Sequence, residues 1–168
     1  NIAASVTPRA LTANTTIDPK TYDGTTTLSY DLINVTLNNV VPGETLSVRA
    51  TGILNSKDVL TATSATVTYT ITLGANGGLA SNYSLAPSTN VAATVTPHSL
   101  TITGQTAQNK AYDGTTRATL GGVATLNGVF QHDVVHIGGT EIASFADPNV
   151  GTNKPVTVTG YVLTGAQA

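Results

Sequence analysis

Two heptads carry the side chains best suited to chemistry, Lys20-Thr-Tyr-Asp-Gly-Thr-Thr and Lys110-Ala-Tyr-Asp-Gly-Thr-Thr, 90 residues apart. A lysine, a tyrosine and a carboxylate this close could hold a cation through Asp23 and Asp113, or pair Lys20 and Lys110 with a carboxylate. A buried lysine could also condense with an Asn or Asp side chain into an amide crosslink, but that needs a further acid nearby and the spacing fixes none. Such a bond would remove one ammonia or water per unit from the intact mass. The structural reading is preferred. Asp23-Gly24 and Asp113-Gly114 supply the positive φ angles of a tight hairpin turn. Tyr22 and Tyr112 then fill the core with their hydroxyls bonded to backbone, and the Thr pair resumes a strand.

Other chemistries find less support. The seven Asp and two Glu are scattered and nowhere form an Asp-x-Asx-x-Asx-Gly calcium loop. The three histidines are His98, His132 and His136. In a strand, residues four apart lie about 13 Å from each other, too far to share a zinc ion, so His132 and His136 are expected at the surface. The chain has neither a Gly-x-Ser-x-Gly elbow nor a cysteine nucleophile, and nine scattered acids suggest no glycosidase pair. No catalytic, cofactor-binding or metal residue is expected, and no enzyme. Asn14-Thr-Thr, Asn34-Val-Thr and Asn82-Tyr-Ser match the glycosylation pattern, which chance explains in a chain so rich in Asn and Thr.

The heptads belong to a longer repeat. Asn1-Ile-Ala-Ala-Ser-Val-Thr-Pro returns as Asn90-Val-Ala-Ala-Thr-Val-Thr-Pro, a shift of 89. A period near 90 exceeds solenoid units and suits tandem domains. By this phase residues 1–8 are the final strand of a preceding repeat, residues 9–97 are unit one, and residues 98–168 are unit two, incomplete at its C-terminal end. Pro8 and Pro97 mark the junctions, since proline cannot donate to a central ladder. A junction without Gly/Ser padding favours a semi-rigid rod. A missing last strand would leave an open edge that the leading strand of another chain could fill; the alternative is a frayed last unit.

Composition supports an all-β chain of two tandem β-sandwich-like domains of about 90 residues, the second truncated. Roughly one residue in five is Thr, and charged residues make up 10%, against about a quarter in ordinary domains. A net charge of −2 without any basic stretch leaves no footprint for nucleic acid or anionic lipid. No apolar run has the length of a membrane span. Zero Cys excludes disulfides and is compatible with export. Alternation is cleanest over 65–73, where Val67, Tyr69, Ile71 and Leu73 share one face. Shorter strands are expected at 2–6, 46–50, 91–95, 100–102, 134–137, 156–158 and 161–163, with one helical turn near 55–60. Turns are expected at Pro42-Gly43, Asn76-Gly77-Gly78, Gly121-Gly122, Gly138-Gly139 and Asp147-Pro148.

Several stretches together resemble a known module. The two Lys-x-Tyr-Asp-Gly-Thr-Thr heptads are joined by Phe145-Ala-Asp-Pro-Asn-Val-Gly151, Lys154-Pro-Val-Thr-Val-Thr-Gly-Tyr161, Leu163-Thr-Gly-Ala, Asn82-Tyr-Ser-Leu and Ala-Thr-Val-Thr-Pro. The pattern resembles the YDG-type repeat, similar to mostly-β modules stacked in large bacterial exported adhesins of the filamentous-haemagglutinin, two-partner-secretion kind. It covers essentially the whole chain. Unit one departs where Leu54-Asn-Ser-Lys-Asp-Val-Leu60 replaces the Phe-Ala-x-x-Asn-Val-Gly stretch. The resemblance implies a non-enzymatic stalk of a surface or biofilm-matrix adhesin, secreted or held at the bacterial cell surface, with no catalytic residues to transfer. Its implied partners are neighbouring repeats of the same or identical chains and host or matrix surface polymers, with neither nucleic acid nor membrane insertion. Rival readings are a carbohydrate- or surface-binding module, disfavoured by 5% aromatics and no Trp, and an accessory domain of a secreted enzyme.

Overall fold

Threonine alternating with Val, Ala, Tyr and Ile suits a pleated chain with one buried and one wet face, and strands make up nearly all the regular structure. The computed structural model describes residues 2–167 and divides into two units, residues 1–98 and 99–168. Both are all-β.

The first unit contains β1 (Arg9–Ala10), β2 (Thr12–Ile17), β3 (Lys20–Thr21), β4 (Thr27–Leu28) and β5 (Ile33–Asn38). It continues through β6 (Leu46–Leu54), β7 (Ser64–Leu73), β8 (Tyr83–Ser84), β9 (Ser88–Ala92) and β10 (Val95–Thr96), with two 3₁₀ turns at Tyr30–Leu32 and Ala80–Asn82. One layer is the antiparallel pair β2–β5, in register from Thr12↔Asn38 to Ile17↔Ile33. The other is an antiparallel sheet in the order β4-β6-β7-β9. Leu28, Ile33, Leu54, Val67, Ala93 and Val95 belong to the buried cluster of this unit, with Ile17 and Val35 packed against it. Val67 is fully buried, and removing such a side chain from water contributes about 1.5–3 kcal/mol. Two short parallel pairs close the unit, β1 with β8 and β3 with β10.

The second unit contains β11 (Thr101–Ala107), β12 (Leu120–Asn127), β13 (His136–Phe145) and β14 (Val156–Thr164). β11 pairs antiparallel with β12, and β13 with β14. The plan repeats: the amide of Leu54 donates to Thr26 in unit one, and that of Phe145 donates to Thr116 in unit two, both at 2.8 Å. Leu28 opposite Gly52 likewise corresponds to Ala118, whose amide donates to Ala143. Among the described hydrophobic residues of this unit, only Ala118 and Ala143 are buried.

Several expected elements differ. Residues 2–6 form no strand and lie in solvent, with Ile2 99% and Val6 100% exposed; Asn1 lies outside the described residues. The alternating stretch at 91–95 is two strands. It leaves β7 after Ala92 and joins β3 at Val95, so it crosses from one sheet to another. The stretches at 156–158 and 161–163 are one strand, and the one expected at 134 begins only at His136. Gly121-Gly122 and Gly138-Gly139 lie inside β12 and β13, where the pairing register shifts. At Gly122, with φ +85°, a Cβ would stand 2.1 Å from the carbonyl oxygen of Gly104, so the glycine makes a bulge and not a chain reversal. The helical turn expected near 55–60 is a single one that is not continued, in which the Ala62 amide donates to the Asp58 carbonyl at 2.8 Å. Finally, the β7 face is buried only at its start. Leu73, at its far end, is 60% exposed.

Candidate functional site: a lysine-locked turn, once covered and once open

In unit one the heptad begins on β3 and turns towards β4. It is therefore a corner between two sheets and not the expected hairpin: β3 pairs with β10, and β4 pairs with β6. Only the glycine of each Asp-Gly takes positive φ, +78° at Gly24 and +77° at Gly114, where a side chain would be strained. Asp23 Oδ1 accepts hydrogen bonds from the amide and hydroxyl of Thr25, both at 2.9 Å. Lys20 Nζ donates to that same carboxylate oxygen, to the Thr25 carbonyl at 2.8 Å and to Thr25 Oγ1 at 3.2 Å. The ammonium thus ties both ends of the turn together. Burial raises the Asp23 pKa, but the hydrogen bonds from Lys20 and Thr25 outweigh it and leave the carboxyl below its ordinary value.

Unit two builds the same lock. Lys110 Nζ donates to Asp113 Oδ1 at 2.8 Å, to Thr115 O at 2.8 Å and to Thr115 Oγ1 at 3.0 Å. It also reaches the Arg117 carbonyl at 2.9 Å. Hydrogen bonds from Lys110, and from the amide and hydroxyl of Thr115, hold the Asp113 carboxyl down to about 2. An amide crosslink would need the carboxyl protonated so that its hydroxyl could leave, and these bonds favour the ionised state. Neither aspartate is therefore poised for that chemistry.

The two copies differ in what covers them. In unit one the chain after β9 lies across the heptad. The Lys20 amide donates to Thr94 O at 3.1 Å and the Tyr22 amide to Thr96 O at 2.8 Å. Lys20 is consequently 5% exposed. Tyr22 packs against the core cluster, and its hydroxyl accepts from Lys57 Nζ at 2.7 Å. In unit two Lys110 is exposed and Tyr112 is 66% exposed. The expectation that Tyr112 fills the core fails because no described strand lies over it. A groove of about 690 Å³ occupies that place, lined by Lys110, Tyr112, Phe145, Val150 and Lys154 among others.

Two kinds of anchor escaped sequence reasoning. Asp147 and Lys154 form a third lysine-locked turn, with Lys154 Nζ donating to Asp147 O, Asp147 Oδ1 and Asn149 O at 2.9, 2.6 and 2.7 Å. The hydrogen bond from Lys154 is the main cause of the lowered Asp147 pKa. The Asp-x-Asn spacing with a following lysine was a usable signal. Tyrosine hydroxyls form the second kind. Tyr83 donates to Glu44 Oε2 at 2.5 Å, which raises its own pKa. Tyr161 donates to Glu141 Oε2 at 2.6 Å. These partners are 39 and 20 residues apart, so no local pattern announces them.

His132 sits at positive φ in a turn, His136 opens β13, and both are exposed. Among the described residues, no three His, Asp or Glu side chains form a group able to hold a metal. Pro97 directly follows β10, and Pro8 directly precedes β1.

Comparison with curated proteins and with solved structures finds no match. The sequence profile of the YDG domain matches twice, over residues 7–91 and 96–168. Each match contains one complete Lys-x-Tyr-Asp-Gly-Thr-Thr heptad, and together they span nearly the whole sequence, so the chain belongs to the YDG domain family as two tandem copies.

Proposed function

We propose that the chain is a non-enzymatic structural repeat module of an extracellular bacterial adhesin or matrix fibre. It acts as stalk or spacer, and neighbouring units associate through their strands. The observation that carries this reading is how the repeated motif spends its polar groups. The lysine, the aspartate and the first threonine after the glycine of each heptad bond to one another and to backbone, so the motif both units repeat serves to hold a turn. A tandem pair of such units adds length without adding chemistry, which is what a spacer requires. The filamentous-haemagglutinin-like setting, secretion and surface display belong to this proposal, as do the partners: identical repeats and surface polymers.

The test is location. Antibodies raised against the chain are expected to label intact cells of the source organism, and the label should be lost after brief surface proteolysis. Labelling that appears only after lysis would overturn the reading.

A further inference from the structure

The chain contains two Asp-Pro bonds, Asp18-Pro19 and Asp147-Pro148. At the second, one ammonium touches both the side chain and the main chain of the aspartate. Lys154 Nζ donates to the Asp147 carbonyl oxygen at 2.9 Å and to Asp147 Oδ1 at 2.6 Å, and its remaining donor goes to Asn149 O at 2.7 Å. The Asn149 amide donates to the same Oδ1 at 2.9 Å. These bonds span at most seven residues, so the loop between β13 and β14 builds the arrangement by itself. The heptad lysines differ. Lys20 reaches the carbonyl of Thr25, and Lys110 those of Thr115 and Arg117, never that of the aspartate they pair with. Asp18 accepts through Oδ2 from the Asn34 side chain at 3.2 Å, and among the described residues no lysine reaches its carbonyl.

We propose that Asp147-Pro148 is a self-scission site, at which the Asp147 carboxylate attacks its own main-chain carbonyl while Lys154 steadies the charge that develops there. Oδ2 bonds to the carbonyl carbon and closes a five-membered ring, a step made intramolecular by the aspartate itself. The carbonyl electron pair moves onto the oxygen that Lys154 already contacts. The carbon–nitrogen bond then breaks, its electron pair stays on the Pro148 nitrogen, and that nitrogen takes a proton from the Lys154 ammonium. A cyclic anhydride is left on Asp147 and a secondary amine on Pro148. Water opens the anhydride to two carboxylates and releases two protons, one returning to Lys154 and one going to the proline amine. The balance is one water added, with no oxidant or reductant. Proline matters because its nitrogen carries no N–H, so it cannot attack the carboxyl to form an imide instead. The hydrogen bond from Lys154 lowers the Asp147 pKa and keeps the attacking group ionised at neutral pH. The Asp147 side chain is 48% exposed, which admits the water. After the cut β13 and β14 remain paired from His136↔Thr164 to Phe145↔Val156, so the loop is nicked while the unit stays assembled.

The assay is the mass of the chain under denaturing conditions, after several days folded at neutral pH. The unmodified chain is expected to yield two pieces, residues 1–147 and 148–168, whose masses sum to the starting mass plus one water. Scission at Asp18-Pro19 is expected to be at least about tenfold slower. In urea, where the loop no longer holds Lys154 against Asp147, that preference should vanish. Lys154→Met should slow the cut roughly a hundredfold. Loss of the ammonium also loosens the loop, so Asp147→Glu is the second variant. It keeps a carboxylate for Lys154 but enlarges the ring of the intermediate, and it should suppress scission with an unchanged circular dichroism spectrum. An intact chain, equal scission at the two Asp-Pro bonds of the folded protein, a preference that survives urea, or an undiminished rate in Lys154→Met or Asp147→Glu would overturn the proposal.

Discussion

Replacing Lys20 with methionine keeps the length of the side chain and removes the ammonium that ties Asp23 to Thr25. Removing one partner of a buried ion pair costs about 3–5 kcal/mol when the other stays buried. Here Asp23 is half-exposed, so water recovers part of that loss. The Thr25 carbonyl loses its charged donor, worth about 1.5–3 kcal/mol. The methionine's own apolar contacts with the strand above return a little. The expected net loss is about 3 kcal/mol, or roughly 12–24 °C in Tm for a unit of this size. Lys110→Met removes the same bonds and one more to Arg117, but solvent already reaches that ammonium and rehydrates its acceptors, so the loss should be distinctly smaller. Thermal denaturation, with hydrogen exchange of β6–β7 and β13–β14 amides to resolve the units, measures both. Equal losses in the two variants, or a Lys20→Met loss under about 1 kcal/mol, would refute the idea that the covering strand sets the energy of the motif.

Two more predictions concern acid and backbone. Asp23 and Asp113 both have lowered pKa values, the latter about 2. A depressed carboxylate contributes stability that is fully present above its unfolded value and lost as pH falls through its folded one. Urea midpoints should therefore hold steady down to about pH 4 and fall between 4 and 2; Asp113→Asn should flatten the fall in unit two and lower its midpoint at neutral pH. Gly43 and Gly122 have similar positive φ, but an added Cβ meets nothing at Gly43 and a carbonyl oxygen at Gly122. Gly43→Ala should cost about 1 kcal/mol in a urea titration, and Gly122→Ala should cost several times more. Equal costs would sink the bulge reading.

Much of the architecture was legible locally. The strand at Ser64–Leu73 declares itself through strict alternation, and the duplication of the heptad declares two units of one plan. The role of Asp23 and Asp113 as turn formers was also readable, because an aspartate two residues before a threonine bonds that residue's backbone whatever surrounds it. The glycine pairs misled because Gly-Gly marks a reversal and a bulge equally well, and only the opposing carbonyl distinguishes them. The hairpin expectation failed for a related reason: strand partners of β3 and β4 are distant in sequence, and the turn residues between them carry no record of which sheet each strand joins.

By itself the sequence determined that the chain is all-β, that it repeats near every 90 residues, and that each heptad turns at its Asp-Gly. These follow from side-chain period, self-similarity and bonds spanning at most five residues in the heptad of unit one. Tertiary structure alone decided that Lys20 is buried and Lys110 is not, and that Tyr22 packs while Tyr112 stands in solvent. Identical motifs met different fates because burial depends on what the rest of the chain lays over a residue, and the strand that covers Lys20 comes from about 75 residues away.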